Sequence, residues 1–199
     1  IMNSFGVQTS IIEFLPRILP SEDEEISKRL TVALKKAGIK IYTSTAVENI
    51  KEIEQRQKLS LSNGSTLTVD KVLLSVGRLP NCNLDWNQME LETEHNAIVI
   101  DEFMRTNLNH IYAIGDVTGK LALAHTASKQ GEIAAAHIAS NILNIPYNHP
   151  PLNYTYIPRC TFTSPEVASV GYTEEEARKK FGELKIGKFP YSANGKAMA

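Results

Sequence analysis

The sequence predicts an α/β fold, and three observations lead to this prediction. Short apolar stretches end at Glu13, Gly77 and Gly115, as strands of a parallel sheet do. Apolar residues recur at helical spacing over residues 21–37, between two of these stretches. A long helix-forming run over residues 122–143 follows the last one.

Length, composition and charge narrow the class of protein. The chain has 199 residues, of which 42% are hydrophobic and 22% charged, and its formal net charge is -1. This balance gives no electrostatic argument for binding nucleic acid or an anionic membrane surface. Since no run of about 18 apolar residues and no signal-peptide pattern occurs, we expect a cytoplasmic protein without a membrane span.

The two cysteines predict neither a disulfide framework nor a metal site. Cys82 and Cys160 lie far apart in sequence and form no C-x-x-C or zinc-ligand spacing. We therefore expect two reduced thiols without a redox role.

The first residues predict the later part of a βαβ unit. Residues 1–6 are expected to end a helix at Gly6, and residues 7–14 to form a strand that ends near Glu13. This order follows the G-x-G-x-x-G loop of a Rossmann unit, in which the terminal acid accepts hydrogen bonds from the adenosine ribose. Glu13 is thus either a ribose ligand or an exposed strand-end carboxylate.

The elements up to residue 80 extend this Rossmann-like pattern. The acids of residues 22–24 are expected to cap a helix that stops at Gly38, and not to bind a metal. A strand over 39–42 and a meander over 47–69 with a turn at 62–64 follow. The apolar stretch after Asp70, residues 71–77, is then expected to form a buried strand that ends in Gly77.

The residues around Asp116 form the central candidate site. Residues 111–114 are predicted to be a strand buried on both faces in a parallel sheet, a place where α/β folds bind ligands at the strand end. Asp116 either accepts a hydrogen bond from a ligand hydroxyl or caps a turn or the next helix. In that helix, His137 is predicted to lie on the surface.

The segment from Asp116 to Ala135 resembles the second flavin-contacting segment of the pyridine nucleotide-disulfide oxidoreductases, and within them the dihydrolipoamide dehydrogenase subfamily. The resemblance implies that Asp116 holds a hydroxyl of the FAD ribityl chain. It also implies that four residues lie against the isoalloxazine: Ala122, Leu123, Ala124 and His125. A helix N-terminus there would favour the negative charge of a reduced flavin.

The same resemblance implies that NAD is the second cofactor. It gives Glu13 to the adenosine ribose, and an acid there favours NAD over NADP because a 2′-phosphate would be repelled. It brings Val47 near the adenine, although an apolar residue would serve the core equally well. It also puts Gly77 at the nicotinamide nucleotide, before the Gly-Arg-x-Pro pattern that leads to the next domain.

The resemblance divides the chain into three parts. They are the late part of an NAD-binding domain (1–80), a central FAD-contacting domain (81–149) and the start of an α+β dimerisation domain (150–199). Trp86 in the central part is predicted to be a packing residue. In the last part, a capped helix over 173–181 and a strand over 185–191 are expected.

The resemblance also implies what the parent protein does. It would be a homodimer that oxidises dihydrolipoyl groups on the lipoyl domains of 2-oxoacid dehydrogenase complexes, through a cysteine pair and FAD, to NAD. We find no match for the cysteine pair, either phosphate loop or the catalytic His and Glu, so we expect an inactive interior fragment. The alternatives are a glutathione or mercuric reductase and a noncatalytic nucleotide-binding module.

Overall fold

The computed structural model describes residues 1–82 and 89–198, and Trp86 lies outside them. Two compact units are present, one made of Ile1–Val72 with the stretch from Pro158 onward, the other of Leu73–Ile157. Helices and strands occur in both, which confirms the predicted α/β class. Among the described residues, no helix combines the length and apolarity needed to cross a bilayer.

The first unit begins with a βαβ arrangement. A 3-10 helix (Met2–Phe5) ends at Gly6, as predicted. Strands β1 (Ser10–Ile12) and β2 (Lys40–Tyr42) pair in parallel, and α1 (Glu24–Lys36) connects them. The acids at the start of α1 and the lysines at its end complement the helix dipole.

The helix α1 contributes to the hydrophobic core of this unit. This core contains four buried apolar residues, Ile18, Leu30, Leu34 and Val167. Burial of each large apolar side chain contributes about 1.5–3 kcal/mol. Because Val167 comes from the end of the chain, this core joins the two stretches that make up the unit.

A three-stranded antiparallel meander follows β2, as predicted. Its strands are β3 (Val47–Ile53), β4 (Arg56–Leu61) and β5 (Thr66–Val69). Gly64 closes the predicted turn, with φ +80° and its N–H donated to the Leu61 carbonyl at 2.9 Å. Leu59 and Leu61 are the buried residues of the meander.

The stretch from Pro158 onward contributes β8 (Arg159–Thr161), β9 (Val167–Ser169), α3 (Glu174–Phe181) and α4 (Gly195–Met198). Strands β8 and β9 pair antiparallel. Arg159 on β8 lies 3.6 Å from the buried Glu22 carboxylate, and the Asp23 carboxylate accepts the Glu174 N–H at 2.7 Å. The predicted strand over 185–191 is wrong, because residues 185–190 form no strand and a 3-10 helix begins at Tyr191 (Tyr191–Ala193).

The second unit contains a short hairpin and one long helix. Strands β6 (Thr93–Glu94) and β7 (Ala97–Ile98) pair antiparallel, and α2 runs over Ala124–Leu143 as predicted. Two 3-10 helices, Gly115–Thr118 and Tyr154–Tyr156, lie on either side of α2 in the sequence.

Two strand predictions near this unit are wrong. Residues 71–77 form no strand, and Leu73, Leu74 and Val76 are 74–92% exposed. In residues 111–114, only Tyr112 makes a bridge, which is antiparallel and joins it to Arg105. The apolar sequence was sufficient to suggest strands, but a ladder also needs a neighbouring strand in register.

The prediction that His137 lies on the helix surface is also wrong. His137 is only 9% exposed, and its ring stacks on Phe103 with centroids 4.4 Å apart. Its Nδ1 lies 2.8 Å from the Tyr112 hydroxyl oxygen. The Tyr112 hydroxyl thus gives this buried ring nitrogen the hydrogen-bond partner that buried polar groups need.

Candidate functional site

The 3-10 helix Gly115–Thr118 carries the central candidate residue, and side chains hold its first residue on both sides. The Gly115 N–H donates to Oε1 of Gln130 at 2.6 Å, and the Gly115 carbonyl accepts from the Thr118 hydroxyl at 2.8 Å. Gly115 has φ +77°, a conformation that favours glycine. The backbone that leads into Asp116 is therefore fixed from two directions.

The Asp116 carboxylate is exposed to solvent. Its side chain is 55% exposed, and Arg78 Nε lies 3.9 Å from its Oδ2. Such an exposed pair contributes little stability. Asp116 is the N-cap neither of the 3-10 helix, where Ile114 has that position, nor of α2, where Leu123 has it.

The four residues predicted to lie against a flavin surround the start of α2. Ala122, Ala124 and His125 are exposed, and Leu123 is partly buried. Because the N-cap residue is leucine, no side chain at this position accepts a hydrogen bond from the first helical turn. The N-cap side chain therefore supplies no acceptor for the positive end of the helix dipole.

Gly119 ends the 3-10 helix that carries Asp116 and packs closely against Ala97 of β7. It has φ +62°, and a Cβ added here would lie 2.6 Å from the Ala97 Cβ. Only glycine fits at that distance. The turn that carries Asp116 therefore packs tightly on β7 within the second unit.

Glu13 and Val47 lie near each other in the first unit. The Glu13 carbonyl accepts the Thr45 N–H at 3.0 Å. Thr45 lies two residues before Val47, which is at the exposed start of β3. The Glu13 carboxylate accepts the Leu15 N–H at 2.8 Å, so part of it stabilises the turn after β1.

Gly77 lies in an exposed segment of the second unit. It has φ +116°, and no atom lies within 4 Å of the position that a Cβ would take. Its neighbour Arg78 approaches Asp116, so the Gly-Arg and Gly-Asp motifs meet in the structure.

Sequence reasoning missed three residues behind Asp116. They are Thr118, Gln130 and Tyr154, and the Gln130 side-chain amide donates to the Tyr154 hydroxyl at 2.9 Å. A signal for Gln130 was present, because helical spacing puts it on the same face as Ile133 and Ala134. A polar residue on a core face indicates a buried hydrogen bond.

Two protein-family models match the chain. Residues 1–131 match the pyridine nucleotide-disulphide oxidoreductase family, and residues 157–199 match the dimerisation domain of the same family. The first match includes every candidate site residue.

Curated relatives are similar over the whole chain. The chain is 44% identical to a dihydrolipoyl dehydrogenase of Corynebacterium glutamicum, covering 100% of this chain and 43% of the relative. It is 43% identical to a dihydrolipoyl dehydrogenase of Mycobacterium leprae, covering 99% of this chain and 42% of the relative. The chain therefore spans less than half the length of these relatives.

Solved structures share the fold. The flavoprotein disulfide reductase RclA from Escherichia coli superimposes with a TM-score of 0.82 at 26% identity, covering 98% of this chain and 44% of RclA. LpdA from Mycobacterium tuberculosis gives a TM-score of 0.83 at 23% identity, covering 98% of this chain and 42% of LpdA. The family match, supported by these folds, establishes that this chain belongs to the pyridine nucleotide-disulphide oxidoreductases.

Proposed function

We propose that the full-length protein containing this chain is a dihydrolipoyl dehydrogenase that uses FAD and NAD. The curated relatives of that name, which are over 40% identical across the chain, support the proposal. In this proposal, residues 1–80 belong to an NAD-binding domain, 81–149 to a central FAD-contacting domain and 150–199 to a dimerisation domain.

The observation that carries the proposal is the Asp116 carboxylate, which is exposed beside the start of α2, where the N-cap residue Leu123 supplies no side-chain acceptor. A carboxylate is a strong acceptor for the hydroxyls of a ribityl chain, and a helix N-terminus favours negative charge on a flavin ring. The small side chains of Ala122 and Ala124 would let a flat ring approach the backbone. The residues present therefore fit FAD.

The residues of the NAD half are assigned on the same basis. Glu13 would accept hydrogen bonds from the adenosine ribose with the carboxylate oxygen that the Leu15 N–H leaves available. Val47 would bring backbone groups near the adenine, and Gly77 would let the nicotinamide nucleotide approach the backbone closely. An acid at position 13 favours NAD over NADP by charge repulsion of a 2′-phosphate.

Bound FAD would supply electron transfer between a dithiol and NAD. Within this chain, the role of Asp116 and the α2 start is to bind and orient that group. We propose that the reacting cysteines and the catalytic base belong to parts of the protein outside this chain, so the isolated chain is inactive.

Assembly and location follow the same proposal. The match of residues 157–199 to a dimerisation domain supports a homodimer. The substrates would be dihydrolipoyl groups on the lipoyl domains of 2-oxoacid dehydrogenase complexes, in the cytoplasm.

The test uses the purified full-length protein. We expect a flavin absorption spectrum, and NADH formation when dihydrolipoamide and NAD are added. The variant Asp116→Ala should weaken FAD binding about tenfold or more, because a charge-assisted hydrogen bond contributes about 1.5–3 kcal/mol.

Glu132→Ala is the matched control, since it removes an exposed acid on α2 that forms an ion pair with Lys129. Its FAD dissociation constant should equal that of the wild type. A wild-type protein that binds no FAD would contradict the proposal, and so would equal FAD affinities for the wild type and Asp116→Ala.

A second candidate is a flavoprotein disulfide reductase with another substrate, which the likeness to RclA favours. The two functions differ in the direction and substrate of the reaction. NADPH-dependent reduction of glutathione disulfide or mercuric ion, without NADH formation from dihydrolipoamide, would favour this second candidate.

A further inference from the structure

Gln130 is a buried polar residue behind the candidate FAD site. It lies in α2 with no exposed surface. Its Oε1 accepts the Gly115 N–H at 2.6 Å, and its Nε2 donates to the Tyr154 hydroxyl at 2.9 Å. Both ends of the amide therefore have partners, and these two contacts fix its orientation.

The two partners belong to different 3-10 helices. Gly115 begins the helix Gly115–Thr118, and Tyr154 begins the helix Tyr154–Tyr156, which Asn153 caps by accepting the Thr155 N–H at 3.0 Å. From its position in α2, the Gln130 side chain thus joins the 3-10 helix that carries Asp116 to the 3-10 helix that begins at Tyr154.

The contact at Gly115 acts on the residue that precedes Asp116. Gly115 can adopt many backbone conformations, because it has no Cβ. Without the Gln130 acceptor, its N–H would be left without that partner, and the turn would gain freedom to rotate. The direction of the Asp116 carboxylate depends on this one backbone position.

We propose that Gln130, supported by Tyr154, is a positioning residue that orients the Asp116 carboxylate toward the ribityl chain of FAD. This inference rests on the proposed function. It assigns to Gln130 an effect on cofactor affinity that acts only through Asp116, without contact between Gln130 and the cofactor.

The experiment measures FAD dissociation constants of the full-length apoprotein for a set of variants. Gln130→Met keeps the side-chain length and removes both hydrogen-bonding groups. We expect it to weaken FAD binding about tenfold, which is the effect of losing one well-aligned hydrogen bond. Lys129→Met introduces the same residue one position away on the exposed surface and should leave the affinity unchanged.

A double-mutant cycle separates positioning from general loss of stability. If Gln130 acts through Asp116, Gln130→Met should weaken FAD binding about tenfold in the wild type but less than about twofold in the Asp116→Ala background. Gln130→Glu retains an acceptor for the Gly115 N–H and should restore part of the affinity. That rescue should increase as pH falls, because burial favours the neutral carboxyl group, which resembles the amide.

Tyr154→Phe is the milder variant if Gln130→Met does not fold, and it should weaken FAD binding about threefold. Equal effects of Gln130→Met in both backgrounds would overturn the inference, as would an unchanged affinity in Gln130→Met and Tyr154→Phe. Failure of the proposed function gives a different result, namely a wild-type protein that binds no FAD.

Discussion

The helices α2 and α3 begin in opposite ways. At the start of α3, the Thr173 hydroxyl accepts the Glu176 N–H, the Glu176 carboxylate accepts the Thr173 N–H, and Asp23 accepts the Glu174 N–H. At the start of α2, the N-cap residue Leu123 offers no side-chain acceptor. The N-cap side chain of α3 accepts a hydrogen bond from its own first turn, whereas the N-cap side chain of α2 accepts none.

This difference separates a structural helix end from one suited to a ligand. A capped N-terminus has lost most of its capacity to bind an anion, since its N–H groups already have acceptors. At the start of α2, the N-cap side chain does not compete with an anion for these N–H groups, and this helix start lies beside the fixed Asp116 turn. Substitutions at the start of α2 and at the start of α3 would measure how much each helix N-terminus contributes to stability and to FAD binding.

The largest effect is expected from the turn that leads into α2. Gly119→Ala would place a Cβ 2.6 Å from the Ala97 Cβ at a φ of +62°, so we expect a loss of about 2–4 kcal/mol in unfolding free energy. Urea unfolding of the full-length apoprotein measures it.

Gly131→Ala is the control for this change. It lies inside α2, where the added Cβ would meet the Ile114 side chain at an ordinary 3.5 Å, and alanine favours a helix over glycine. Equal stability losses in the two variants would contradict the close packing at Gly119.

A cap added to α2 should produce an intermediate effect. Leu123→Ser would provide an acceptor that competes with a cofactor for the first-turn N–H groups. We expect FAD binding to weaken about fivefold, corresponding to about 1 kcal/mol for a serine cap. Equilibrium titration of the apoprotein with FAD measures this.

Leu121→Ser serves as the comparison variant, because it removes another partly buried leucine two residues before the N-cap of α2. Its FAD affinity should stay at the wild-type value. If the two serine variants bind FAD equally, the α2 end does not contribute as described.

The smallest effect on FAD binding is expected at the cap of α3. Thr173→Ala should lower the unfolding free energy by about 1 kcal/mol and leave FAD affinity unchanged. Thermal unfolding and FAD titration measure the two quantities, with Thr173→Ser as the conservative control. A change in FAD affinity would contradict the separation between the helix ends.

The α3 cap also predicts a dependence on pH. Hydrogen bonds from the Thr173 backbone and side chain lower the pKa of Glu176 below its usual value. A carboxyl whose pKa is lower in the folded state stabilises the fold above its unfolded pKa, and this contribution disappears as pH falls through the folded value. The stability difference between wild type and Thr173→Ala should therefore shrink as the solution is acidified below about pH 4.

Local patterns were sufficient to predict the helices and the meander. The spacing of Leu30 and Leu34 identified α1, the Asn63-Gly64 turn identified the hairpin, and Thr173 with Glu176 identified the α3 cap. The strand predictions over 71–77, 111–114 and 185–191 failed because a strand depends on a partner that its own sequence does not specify.

Only the candidate residue that belongs to a local sequence pattern could be predicted. Asp116 could be singled out because glycine and an acid after an apolar stretch form a local pattern. Gln130 and Tyr154 could not be linked to it, since their contacts join residues that are distant in sequence. His137 was misplaced for the same reason, because its partners Tyr112 and Phe103 lie outside its helix.

The hydrogen bond between Asp23 and Glu174 joins residues 151 positions apart. During synthesis, the early part of this unit cannot close its core until Val167 and Arg159 have emerged from the ribosome. A nascent chain halted before residue 158 would therefore expose Leu30 and Leu34 to chaperones.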